Sequence, residues 1–167
     1  MLRVMTQYHF VTHWHVDAPI DPVWDAISHS ERWPSWWKGV EQVTELERGG
    51  EDGIGNRRQY VWKSLLPYRL GFDVTTTRID RPHALEGEAS GELAGTGRWD
   101  IREAPAGGTD ITYYWDVRTT RAWMNVLSPL ARPIFRWNHD YVMRGGGRGL
   151  AKLLEGTASE GVAPTSG

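Results

Sequence analysis

A chain of 167 residues with a net charge of −2, 40% hydrophobic and 24% charged residues has the composition of a globular protein and the length of one domain able to bury a core. That charge gives no drive towards phosphate backbones, which argues against a nucleic-acid binder despite ten tryptophans, and it gives no general attraction to a membrane surface. With no cysteine there is no disulfide framework, thiolate metal site or cysteine nucleophile.

The opening MLRVMTQYHFVTHWHV has no cationic region followed by a sustained apolar run. No segment reaches the roughly 18 apolar residues of a membrane span. The expectation is a cytoplasmic protein with no stable membrane insertion. Residues Tyr8 to Asp17 alternate, with Phe10, Thr12, Trp14 and Val16 on one face and His9, Val11, His13 and His15 on the other, the period of a half-buried strand. In DAPIDPVWDAISHS the period changes. Asp17 can cap, Pro19 or Pro22 suits a first turn, and Ile20, Val23, Trp24 and Ile27 share one helical face. Pro34 then resets the chain into a second short helix carrying the tryptophans of SERWPSWWKGV. Trp33 and Trp36 are expected to pack a corner against Trp24 and the first strand, with Trp37 or its neighbour reaching a pocket entrance.

After Gly39 come strand-like stretches punctuated by turns: VEQVTELE, NRRQYVWKS, LPYRLGFDVTTTRI, ALEGEASGE, GTGRWDIRE and TDITYYWDVRT. The turn PAGG at Pro105 to Gly108 makes the last two a hairpin, and the total is about seven strands. From Arg121 the spacing becomes helical through Trp123, Leu127, Leu130 and Ile134, then Phe135, Val142 or Met143, Leu150 and Leu153. Pro129 and Pro133 should kink or interrupt this helix early, so that its main body begins near Arg132. The fold should span residues 1–155, with 156–167 a disordered tail. One long helix laid across an antiparallel sheet is an α+β arrangement, and a curved sheet gripping a helix leaves an apolar concavity between them.

The stretch VDAPIDPVWDAISHSERWPSWWKGVEQV, followed in order by LPYRL, GTGRW with GGT, and WNHDYVMRGGGRGLAKLL, resembles START-like (SRPBCC) proteins of the polyketide cyclase/dehydrase type, the superfamily that includes the birch-pollen allergen and lipid-transfer START domains. The resemblance covers about Tyr8 to Leu154. It implies a helix-grip fold, a seven-stranded antiparallel sheet around a long C-terminal helix, enclosing a cavity for hydrophobic small molecules. It does not by itself transmit a reaction. The four glycines of RGGGRG, at 145, 146, 147 and 149, each cost a helix on the order of 1 kcal/mol relative to alanine. Either another element approaches the helix backbone there or the helix breaks at Arg144.

The candidate site follows from alternation. If Val16 fixes the register, Trp14, Trp99, Tyr113 and Trp115 face inward and suit a flat, ring-bearing ligand, although the same rings also suit a plain core. Strand three places Arg58, Tyr60 and Trp62 inward. Arg58 then needs an internal partner such as Asp73 or Asp116, or a ligand anion. On the last helix Phe135, Asn138, His139, Val142 and Met143, with Trp37, complete the lining. His139 either forms a local bond to backbone or to Asp140, or shuttles a proton as a cyclisation or dehydration requires. His13 and His15 have a spacing that can serve a metal but lie on the outer face, so no metal is expected. The glycine-rich stretches read as hairpin turns, and no serine has the setting of a hydrolase nucleophile. The expected function is binding of a hydrophobic, aromatic or polycyclic small molecule, without cofactor, by a monomer or homodimer. Its rivals are a polyketide aromatase/cyclase or dehydratase using the same cavity, and a protein-interaction module.

Overall fold

The computed structural model describes residues 7–120 and 128–155. The expected tail and the expected first turns of the last helix, residues 121–127, lie outside them. Seven strands form one antiparallel sheet: β1 (Gln7–Val16), β2 (Val40–Glu47), β3 (Arg57–Lys63), β4 (Arg69–Asp80), β5 (Ala84–Gly91), β6 (Leu93–Glu103) and β7 (Thr109–Thr119). Their spatial order is β1-β7-β6-β5-β4-β3-β2, so the segment after β1 must cross from one edge of the sheet to the other. Helix α1 (Ile20–Ser28) and a 3₁₀ helix (Ser30–Ser35) make that crossing. The sheet curls around the long C-terminal helix α2 (Ser128–Leu154), giving the α+β helix-grip architecture that the sequence predicts.

The periodicities explain these elements. Along β1, Tyr8 and Val16 are buried and Phe10, Thr12 and Trp14 half-buried, whereas His9, Val11, His13 and His15 are exposed. Helix α1 buries Ile20, Val23, Trp24 and Ile27, the face read from its spacing. Its N-cap is Pro19, with no side-chain cap. Asp17, expected to cap, instead lies 3.1 Å from His15 Nε2. Pro34 does not open the second helix. The 3₁₀ helix ends one residue after it, and Trp36 and Trp37 follow the helix. Between β6 and β7 the expected hairpin closes through Gly107 N–H to Ala104 O and Ala104 N–H to Gly108 O.

Among the described residues helix α2 is already formed before Arg132, the expected start of its main body. It runs unbroken for 27 residues from Ser128 with Pro133 inside it. Pro133 lacks one backbone N–H, and the helix continues through it. The glycine run does not break the helix at Arg144 either, because it is where the helix meets the tryptophans. A Cβ on Gly146 would sit 2.7 Å from Trp37 Nε1, one on Gly147 3.0 Å from Trp14 Nε1, and one on Gly149 would overlap the Trp36 carbonyl oxygen. The packing of three indole-bearing residues against bare backbone offsets the low helix propensity of glycine.

Trp37 is the deepest of the clustered indoles, at 1% exposure. It donates its indole N–H to Val142 O at 2.9 Å, which fastens the segment after the 3₁₀ helix to α2. It therefore sits at the centre of the core and not at an entrance, contrary to expectation. Trp33 donates to Ala26 O at 3.1 Å and is also buried.

Candidate functional site

Two cavities lie inside the curl, separated by a shared wall of Trp33, Trp62, Phe72, Trp99, Tyr113 and Trp115. The first, of about 140 Å³, lies between the sheet and α2. The second, of about 360 Å³, lies between α1, the 3₁₀ helix and strands β2 to β7, and reaches the β2–β3 turn at Gly50 and Glu51.

The helix-side cavity collects Trp37, Trp62, Trp99, Tyr113 and Trp115 from the predicted set, and from α2 Phe135, Asn138, His139, Val142 and Met143. Arg58 and Tyr60 face the other cavity, which Trp62, Trp99, Tyr113 and Trp115 also line. Trp14 lines neither and is packed behind the wall, with ring centroids 5.3 Å from Trp37 and 5.5 Å from Trp99. Tyr8 and Phe10 of β1 and the loop residues Ser64, Leu66 and Tyr68 line the helix-side cavity without having been singled out. For Tyr8 the signal was present, since it continues the inward alternation of Phe10. For the loop it was not, because LPY reads as strand yet precedes β4, which starts at Arg69.

The helix-side cavity gathers most of the buried polar atoms that lack partners among the described residues. Tyr8 OH, Asn138 Oδ1, both ring nitrogens of His139 and the Trp62 indole N–H are buried and unbonded, and all four residues line it. An unsatisfied buried polar group costs about 1–3 kcal/mol, and most buried polar groups in folded proteins are bonded. His139 stacks on Phe10, centroids 3.9 Å apart and 11° from parallel. Its Nδ1 is 3.7 Å from Asp140, too far for a hydrogen bond, so the local bond expected for it is absent. Burial lowers its pKa from 6.5 to about 4, partly opposed by Asp140. The ring is therefore neutral at neutral pH, with one nitrogen able to accept a proton and the other to donate. Burial likewise raises the pKa of Tyr8, against the pull of Arg132, and so keeps its phenol protonated.

In the second cavity Arg58 does have internal partners, but not those expected. It donates to Ser28 O at 3.1 Å and Ser30 Oγ at 2.8 Å, and pairs with Glu31 at 3.4 Å and Glu45 at 3.9 Å. Asp73 pairs with Arg57 at 3.1 Å and Asp116 with His9. The reason is register: Arg57 lies opposite Thr75 on β4, and its side chain shares the outer face with Asp73 two residues away, while Arg58 turns inward beneath the 3₁₀ helix. Ser30 Oγ also bonds Tyr60 OH at 2.8 Å, and burial raises the pKa of both Tyr60 and Tyr113.

On the outer face His15 is held by Asp110 at 2.7 Å and by Asp17 at 3.1 Å, and His13 by Thr112 at 3.1 Å. Among the described residues no group of three or more His, Asp or Glu is arranged to hold a metal ion. No described helix is long and apolar enough to cross a membrane.

Solved structures share this fold. The Zhui aromatase/cyclase from Streptomyces sp. R1128 superposes with a TM-score of 0.71 at 16% identity, covering 97% of this chain and 99% of that one. The di-domain aromatase/cyclase BexL of the BE-7585A biosynthetic pathway gives 0.70 at 19% identity over 95% of this chain, which spans only 51% of that protein. A START superfamily protein from Mycobacterium smegmatis gives 0.68 at 13%, covering 89% of this chain and 97% of that one. At such identities these structures share the fold. No curated protein matches the sequence. The family model described as "Polyketide cyclase / dehydrase and lipid transport" matches residues 7–155, and the chain belongs to that family.

Proposed function

We propose that this protein binds a hydrophobic, ring-bearing small molecule in the helix-side cavity, with the polar end of the ligand among Tyr8, Asn138 and His139. The observation that carries the reading is the cluster of unpartnered polar atoms in that cavity. Family membership and the aromatase/cyclase neighbours support it at the level of ligand class. A space of about 140 Å³ takes roughly one aromatic ring, by comparison with a benzene-binding cavity of similar size. A longer or polycyclic ligand would displace the shared wall and extend towards Arg58 and Tyr60. Titration with polyphenolic ketones and fatty acids, followed by tryptophan fluorescence, tests this. Ring-bearing ligands should quench, and Asn138→Leu should weaken them by about tenfold, the cost of one hydrogen bond to a buried group. Failure of every such ligand to bind would end the reading.

Catalysis is a second reading, favoured by one observation: His139 is held neutral in the cavity with both nitrogens unbonded. A neutral imidazole there can take a proton from a carbon next to a carbonyl while Tyr8 OH donates to the oxygen, as an aldol-type cyclisation requires. His139→Ala should then abolish turnover of a poly-β-ketone substrate while affinity for a stable analogue is nearly retained. Unchanged turnover would leave only the binding role.

A further inference from the structure

The outward side of α2 carries a line of residues that the cavity does not use. Leu130, Ile134, Trp137 and Tyr141 follow one another at helical spacing and are 79%, 51%, 50% and 40% exposed. Trp137 and Tyr141 stack on each other with centroids 6.2 Å apart. At the same spacing the line continues as Arg144, Arg148 and Lys152, all exposed. Over about 33 Å of helix, at 1.5 Å per residue, an apolar and aromatic half thus passes into a cationic half. Among the described residues none of the three cations has a carboxylate partner, the one bond being from Arg144 to a backbone oxygen, Asp140 O. Leu65, 58% exposed, stands in the β3–β4 loop, whose Ser64 and Leu66 line the same cavity as Phe135 and Asn138.

We infer that this ridge is a peripheral docking surface for an anionic phospholipid bilayer. Exposed Trp and Tyr with aliphatic neighbours suit the headgroup boundary, and unpaired Arg and Lys suit lipid phosphates and carboxylates. The occupant is set by charge complementarity. The whole chain carries −2, so attraction to an anionic surface must be local, and on α2 the three exposed cations continue a line of exposed large apolar side chains. The proposal stands whether or not the helix-side cavity holds the ligand proposed above.

The test is flotation of the full chain with vesicles of phosphatidylcholine alone and of phosphatidylcholine mixed with phosphatidylserine. Binding should appear only with phosphatidylserine and should weaken with salt. Arg148→Gln should weaken it by about fivefold, one cation near an anionic surface, and Trp137→Ala should weaken it comparably. Ligand quenching in solution should be unchanged in both variants, which also reports that they fold. Absence of binding to anionic vesicles, or binding by either variant as tight as that of the wild type, would overturn the proposal. So would a wild-type dimer in light scattering that Trp137→Ala dissociates, which would make a second copy the occupant. Trp137-dependent binding to polyglutamate but not to vesicles would assign the ridge to an acidic protein and equally overturn it.

Discussion

The Trp37 indole N–H donates to the Val142 carbonyl at 2.9 Å, and Gly146, one turn further along α2, has its Cα against the same indole. This contact explains how a helix of low propensity stays whole, and it makes two adjacent glycines differ. Gly146→Ala should destabilise the protein by about 1–3 kcal/mol, the usual cost of overpacking a core, because the new methyl group meets Trp37. Gly145 has open space around its Cβ position, so Gly145→Ala should stabilise by about 0.5–1 kcal/mol. Urea unfolding of both variants checks the pair; equal effects would remove the contact as the cause.

His139 should make stability depend on pH in one window. Its folded pKa of about 4 lies below the ordinary 6.5, so the unfolded chain binds the extra proton first. Stability is full above pH 6.5, falls as pH drops towards 4, and is unaffected by this group below that. The loss is at most about 3 kcal/mol. In His139→Phe this slope should vanish, and NMR titration of the ring should find no protonation near pH 6.

Tyr8→Phe removes an unpartnered buried hydroxyl while keeping the ring that stands edge-on to Phe135, centroids 6.0 Å apart. Unfolding free energy should stay level or rise by up to about 1 kcal/mol. Affinity for a phenolic ketone should fall, since the hydroxyl is then lost to the ligand. Reduced stability with unchanged affinity would place Tyr8 outside the site.

Ser30 links Arg58 and Tyr60 through its hydroxyl, at 2.8 Å from each. Ser30→Ala leaves a buried phenol and a half-buried guanidinium each short of one bond, which should cost about 1–3 kcal/mol in thermal unfolding. Ligand binding in the helix-side cavity should be little changed.

Much of the fold was legible because alternation and helical spacing act locally. The inward set of β1 and the buried face of α1 follow from adjacent residues alone. Asp17 and Pro34 misled for the opposite reason: the cap and the helix start they suggest compete with partners distant in sequence or with packing of the whole corner. For Arg58 the sequence left an internal partner or a ligand anion open, and the internal partners it has depend on where the 3₁₀ helix lies over β3, which no local pattern encodes.

The candidate site divides the same way. By itself the sequence determined the sheet-and-helix architecture and the residues able to face inward, because side-chain period is a property of the backbone. Only the tertiary structure decided that Trp37 is a bolt and Trp14 a backing, that a wall of rings divides the interior in two, and that Tyr8, Asn138 and His139 meet without bonding one another. Those outcomes depend on how α2 settles into the curl of the sheet, where the backbone of the glycine run lets the indoles approach and leaves the polar atoms of the other half facing an open cavity.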